Sequence, residues 1–177
     1  MRVLTSFDDR DPVPWANGAG ETTELVSLAD SESLTPLARP WRLSIARLDR
    51  TAEFSALPGM VRTFLPTAEV VLSVDGRTQR IPRLTPLRFR GDQAVVLTEL
   101  GEPCFAVNLM VAQADSVDPP RRGLVMIGPD EERTVSADDG AAFLLTLASN
   151  PDHPRFQLLE LTGCDGPTDR LGGVLLH

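Results

Sequence analysis

Val70-Val71-Leu72-Ser73-Val74-Asp75-Gly76-Arg77-Thr78-Gln79-Arg80-Ile81 reads as a β-hairpin, and most of the chain follows its pattern. Two strand-like runs flank an Asp-Gly pair, which supplies the positive φ angles that a tight type I′ turn demands. Outward from this hairpin, period-2 runs at 42–48, 62–65, 94–99, 105–111, 123–127, 142–147 and 156–161 predict further strands. Turn signals separate them at Arg90-Gly91-Asp92, Leu100-Gly101-Glu102-Pro103, Asp138-Asp139-Gly140 and Gly163-Cys164-Asp165-Gly166. Fifteen prolines and thirteen glycines cut the chain so finely that no long stretch carries an i, i+3, i+4 apolar stripe, and no helix is predicted. The expected class is mainly β, a jelly roll or small barrel. The polar, proline-bearing segment 112–122 is the predicted crossing between two lobes, 1–111 and 123–177, of one 177-residue unit.

Charge and composition narrow the partners. Seventeen basic against twenty-five acidic residues leave a net charge of −8, and the pI is about 4.7, so a nucleic-acid backbone would be repelled. The longest apolar run, at 141–148, is far short of the roughly 20 residues that cross a bilayer, and residues 1–9 lack an apolar signal core. The expectation is a cytoplasmic protein with no membrane partner. Cys104 and Cys164, sixty positions apart, match no metal or redox spacing and read as thiols in a reducing compartment.

Enzymatic apparatus is sparse. The two histidines, His153 in a loop-like segment and His177 at the last position, read as solvent-exposed, so a metal site of two or three histidines and a carboxylate is not expected. There is no Gly-x-Ser-x-Gly elbow. Gly18-Ala19-Gly20 lacks both the third glycine of a dinucleotide fingerprint and the Gly-Lys-Ser/Thr ending of a P-loop. Neither a cofactor nor a catalytic residue is named on this basis, although twenty-five carboxylates leave an acid/base pair open.

A binding inventory remains. On 41–46, alternation puts Trp41, Leu43 and Ile45 on one face and Arg42, Ser44 and Ala46 on the other. On 105–111, Asn108 is a polar group in an otherwise apolar strand, sharing its face with Ala106 and Met110. Buried polar groups must find partners, since leaving one unsatisfied costs about 1–3 kcal/mol. For Arg42 and Asn108 the partner is either a ligand, or a neighbouring carboxylate and the backbone respectively. Arg62 is open in the same way, its alternative being a surface arginine after the Pro58-Gly59 turn.

Five elements in order, Trp-x-Asn-Gly-x-Gly-x-Thr at 15–22, Trp-Arg-x-Ser-x-Ala at 41–46, Phe-Ser with Pro-Gly and Arg at 54–62, Phe-x-Gly-Asp at 89–92 and Asn-x-Met at 108–110, resemble the HutD/Ves family. The resemblance implies a cupin-like, RmlC-like jelly-roll β-barrel fold with two lobes in one chain (a bicupin) and without a bound metal. It also implies a link to histidine utilisation, with a regulatory, ligand-binding role toward an intermediate such as formylglutamate or urocanate. Two positions depart from the pattern: Thr23 stands where many relatives have arginine, and Ala106 where aspartate is usual. If those two groups pair in relatives, both were lost here together.

The resulting expectation is a non-catalytic small-molecule binding protein whose pocket holds Trp15, Asn17, Arg42, Ser44, Arg62, Asn108 and Met110. Arg42 and Arg62 would clamp a carboxylate, Asn17 and Asn108 would read a carbonyl or formamide, and Trp15 would be an apolar wall. Gly18 and Gly20 would let the backbone come close to the ligand. Two rivals stand beside it. One is a metal-independent isomerase or lyase with Glu24 or Asp92 as base. The other is an interaction scaffold anchored by Trp15 and Trp41, for which a homodimer is the simplest assembly.

Overall fold

The Asp-Gly hairpin forms as the sequence predicts. In a computed structural model that describes residues 1–113, 123–127, 142–161 and 173–176, Asp75 and Gly76 have φ of 48° and 78°, and Val74 pairs with Arg77. In chain order the strands are β1 (Arg2–Ser6), β2 (Val13–Pro14), β3 (Gly20–Val26), β4 (Trp41–Leu48), β5 (Ala52–Glu53), β6 (Met60–Pro66), β7 (Val70–Val74) and β8 (Arg77–Ile81). Then follow β9 (Leu87–Arg90), β10 (Val95–Leu100), β11 (Cys104–Ala112), β12 (Met126–Ile127), β13 (Ala142–Thr146), β14 (Gln157–Leu161) and β15 (Gly173–Leu176).

The chain divides into two compact units, Pro12–Gly123 and a second made of Met1–Asp11 with Leu124–His177. The first holds a six-stranded sheet, β2-β3-β4-β11-β6-β9, and a four-stranded sheet, β5-β10-β7-β8. Their inner faces share one core: Ala46, Leu48, Phe64 and Ala106 from the six-stranded sheet meet Val70, Leu72, Val95 and Leu97 from the four-stranded one. This is a mainly β, cupin-like arrangement of facing antiparallel sheets.

A short helix, α1 (Leu28–Leu34), corrects the expectation of none. Ser27 and Asp30 form a reciprocal capping box, in which Ser27 Oγ accepts from the Asp30 amide and the Asp30 carboxylate from the Ser27 amide. Trp41 ties the helix to β4. Fully buried, it donates Nε1–H to Thr35 Oγ1 at 2.8 Å, and its amide donates to Ser31 Oγ at 3.0 Å. Leu43, Ile45, Val107 and Leu109 are buried on the same face of the sheet as Trp41.

The second unit carries the sheet β1-β14-β13-β15-β12. The N-terminal strand therefore belongs here and not to the first lobe where the sequence reading put it: Ser6 pairs with Gln157, and the Phe7 ring meets Phe156 edge-on at 5.6 Å. Most of the predicted crossing, 114–122, lies outside the described residues, as do Cys164 and His177. Cys104 is buried. His153 is half-buried instead of exposed, with Nδ1 2.7 Å from Gln157 Oε1, and Gln157 in turn donates to Ser6 Oγ. No helix among the described residues is long and apolar enough to cross a membrane.

Candidate functional site

Strand register places the polar residues of three strands side by side. Arg42 on β4 and Arg62 on β6 both face Met110 on β11, and one step along, Ser44 faces Asn108. A further step brings Ala46 opposite Ala106, with Thr22 of β3 on its other side. The inner face thus runs from a cationic end, through a hydroxyl and an amide, into small side chains and the core. A cavity of about 450 Å³ opens over it. Seven of the nine expected binding residues line this cavity: Trp15, Asn17, Arg42, Ser44, Arg62, Asn108 and Met110. Gly18 and Gly20 do not.

Arg62 is the most constrained group. It is 8% exposed, and its Nε and Nη2 both donate to Asn108 Oδ1, at 2.9 and 2.7 Å. Its guanidinium carbon stands 4.6 Å from the Phe54 ring centroid and 5.7 Å from that of Phe89. The fork is fixed by a neutral amide and two π faces, so its orientation is set while its charge is not cancelled. Burial, with the nearby charge of Arg42 adding to it, lowers the Arg62 pKa to about 10. A buried cation without a counter-ion is costly, and an anion is the partner that relieves it.

Arg42 differs in two respects. It is only partly buried, and its Nε lies against Glu24 Oε2 in an ion pair. That contact is a charge contact without hydrogen-bond geometry, so Arg42 Nε has no directed partner. Ser44, 1% exposed, likewise has a buried hydroxyl with no partner. A ligand oxygen between Ser44 and the two guanidinium groups would satisfy donors that the protein leaves open.

Several residues have structural tasks that alternation alone does not reveal. Asn108 does not offer its carbonyl oxygen to the cavity, because Arg62 takes it; it positions the cation. Asn17 spends Oδ1 on the Ala19 amide at 3.0 Å, and its backbone oxygen accepts from Arg50. Gly18 sits at φ +65°, a turn conformation, and a Cβ on Gly20 would lie 2.1 Å from the Arg47 carbonyl oxygen. Both glycines shape the loop that holds Trp15, whose Nε1–H donates to Thr22 Oγ1 at 2.8 Å. Thr23 and Ala106 cannot be a lost pair: Thr23 pairs with Ile45, on the opposite face of the sheet from Ala46 and Ala106.

The two proposed bases also fall away from the cavity wall. Asp92 pairs with Arg90, and Glu24 with Arg42. The acidic side chain that does line the cavity is Glu53, an exposed residue on the short strand β5. Its position depends on which sheet edge faces the cavity, which no local pattern around Ala52-Glu53 announces. Among the described residues, no group of three or more His, Cys, Asp or Glu side chains is arranged to hold a metal ion.

The HutD family profile matches residues 8–153, more than four-fifths of the chain. The chain belongs to the HutD family. Its fold is shared with HutD from Pseudomonas fluorescens SBW25, at TM-score 0.62 and 22% identity over 97% of this chain and 91% of that one. A conserved protein of unknown function from Pseudomonas aeruginosa superposes with TM-score 0.64 and 21% identity, over 97% and 87%. In sequence, Protein Ves from Citrobacter koseri is 37% identical over 102 residues, 54% of this chain. That match spans half the length of the Ves protein.

Proposed function

We propose that this HutD-family protein binds a small organic acid in the cavity of its first unit, without turning it over, as a cytoplasmic ligand sensor linked to histidine utilisation. The observation that carries this reading is Arg62, a buried guanidinium oriented by Asn108 and, among the described residues, left without a counter-ion, beside Arg42 and a Ser44 hydroxyl that has no partner there. The carboxylate lies across Arg62, Arg42 and Ser44. The remainder of the acid extends toward Ala46, Trp15 and Phe54, where a planar or aliphatic body finds apolar walls. Urocanate and formylglutamate are the acids to try first.

Thermal unfolding against a panel of urocanate, formylglutamate, glutarate and histidine tests the reading. A ligand at about 100 times its Kd adds roughly 2.7 kcal/mol of stability, which for a domain of this size raises Tm by about 5–10 °C. A shift with at least one acid is expected. No shift with any of them, and none with Arg62 intact against Arg62→Met, would remove the carboxylate site.

A second reading, a metal-independent isomerase or lyase, has one observation in its favour, the exposed Glu53 on the cavity wall. It requires that Glu53→Gln abolish turnover of an acid that the variant still binds.

A further inference from the structure

We infer that Glu24 is an affinity-setting residue of this site, an internal carboxylate that competes with the bound acid for Arg42. The inference rests on the acid-binding reading above and adds a residue to it that does not itself line the cavity. The two arginines are held in opposite ways. Arg62 is locked by a neutral amide and two rings, whereas Arg42 is held by a charge on the adjacent strand. Register explains the contact: Glu24 pairs with Ser44, two residues from Arg42 on β4, and the shift between Glu24 and Val26 turns the strand beside it.

Three features make the Glu24–Arg42 contact exchangeable. Both side chains keep solvent access, 31% for Arg42 and 42% for Glu24, so the carboxylate can return to water when the pair opens. Ion pairs whose side chains keep this much solvent access contribute little to stability, so opening costs little. The contact also lacks hydrogen-bond geometry at Nε, which leaves that donor to be satisfied by a better-placed acceptor. An acid seated between Arg62 and the Ser44 hydroxyl offers such an acceptor, on the side of Arg42 that lines the cavity.

The consequence is a division of labour. Arg62 and Asn108 supply a permanent anion seat, and Arg42 joins it only when the incoming carboxylate outbids Glu24. Affinity is then held below what two free arginines would give, which suits a protein that must report changes in concentration instead of saturating at trace amounts.

Titration of the full-length chain with sodium acetate at constant ionic strength, followed through the arginine Nε–Hε resonances, tests this directly. In wild type, acetate is expected to shift the Arg62 and Arg42 signals together. Glu24→Gln, which keeps size and removes charge, is expected to tighten acetate about 3–10-fold, an effect that disappears when Arg42→Met is added. Glu21→Gln, on the same strand but paired with Arg47, controls for the loss of one negative charge and is expected to change affinity by less than half as much. Unchanged or weaker binding in Glu24→Gln, or equal tightening in Glu21→Gln, overturns the competitor role while leaving the acid site standing. Absence of any shift in wild type and in Glu24→Gln overturns both.

Discussion

Arg62 and Asn108 concentrate the chemistry at the scale of single residues. A carboxylate in place of Asn108 would cancel the charge of Arg62 from within. Asn108→Asp is therefore expected to keep the fold and weaken acid binding by about 10–100-fold, the value of a lost charge-assisted contact of roughly 1.5–3 kcal/mol, as read by calorimetric titration. Asn108→Ala leaves the guanidinium without its partner and is expected to cost about 1–3 kcal/mol in urea unfolding. The pH dependence follows from the lowered Arg62 pKa. Acid affinity is expected to stay level from pH 7 to 9 and to fall as pH rises through about 10. The unfolded chain keeps its Arg62 proton to higher pH than the folded one does, so above about 10 the unfolded state holds more protons. The burial penalty is then present below pH 10 and relieved above it, and the urea midpoint of wild type relative to Arg62→Met should rise between pH 9 and 11.

Alternation was enough to group Arg42 with Ser44 on one strand and Asn108 with Met110 on another, because period-2 geometry leaves little choice once a strand is assigned, and pairing of the two strands puts both groups on one face. It could not say that Asn108 serves Arg62, nor that Glu24 reaches Arg42. Those contacts come from cross-strand register and from the register shift after Glu24, neither of which is written in either strand alone.

At the scale of elements, the helix escaped the periodicity test since seven residues are too few to display a stripe. Its signal was the Ser27-x-x-Asp30 box, a local hydrogen-bond pattern and not a hydrophobic one. Ser27→Ala is expected to cost about 1 kcal/mol in thermal or urea unfolding, with no change in acid affinity, because α1 supports β4 from the face opposite the cavity through Trp41. The Trp15 loop behaves differently. Gly20→Ala drives a Cβ into the Arg47 carbonyl, a backbone atom that cannot step aside, and is expected to cost about 1–3 kcal/mol. It should also weaken binding, because Trp15 moves with the loop.

Across the whole molecule, the expectation of two lobes came from the proline-bearing segment and the family resemblance, and neither assigns β1. Pairing of Ser6 with Gln157 spans some 150 residues, and only the folded register reveals it. Removal of Met1–Asp11 is expected to lower the unfolding temperature of the second unit, which loses an edge strand and the Phe7–Phe156 contact, while acid binding by Pro12–Gly123 is retained. Scanning calorimetry with and without acid reads both effects, the truncation as a lowered transition and binding as its rise with acid.

The proposed acid site stands on Arg62, pre-oriented by Asn108 and with its charge not cancelled among the described residues. Calorimetric titration of urocanate and formylglutamate into wild type and Asn108→Asp measures it most directly. Saturable binding of at least one acid to wild type, weakened about tenfold or more in Asn108→Asp, is the expected result. Equal affinity in the two proteins, or no binding to wild type, would contradict it.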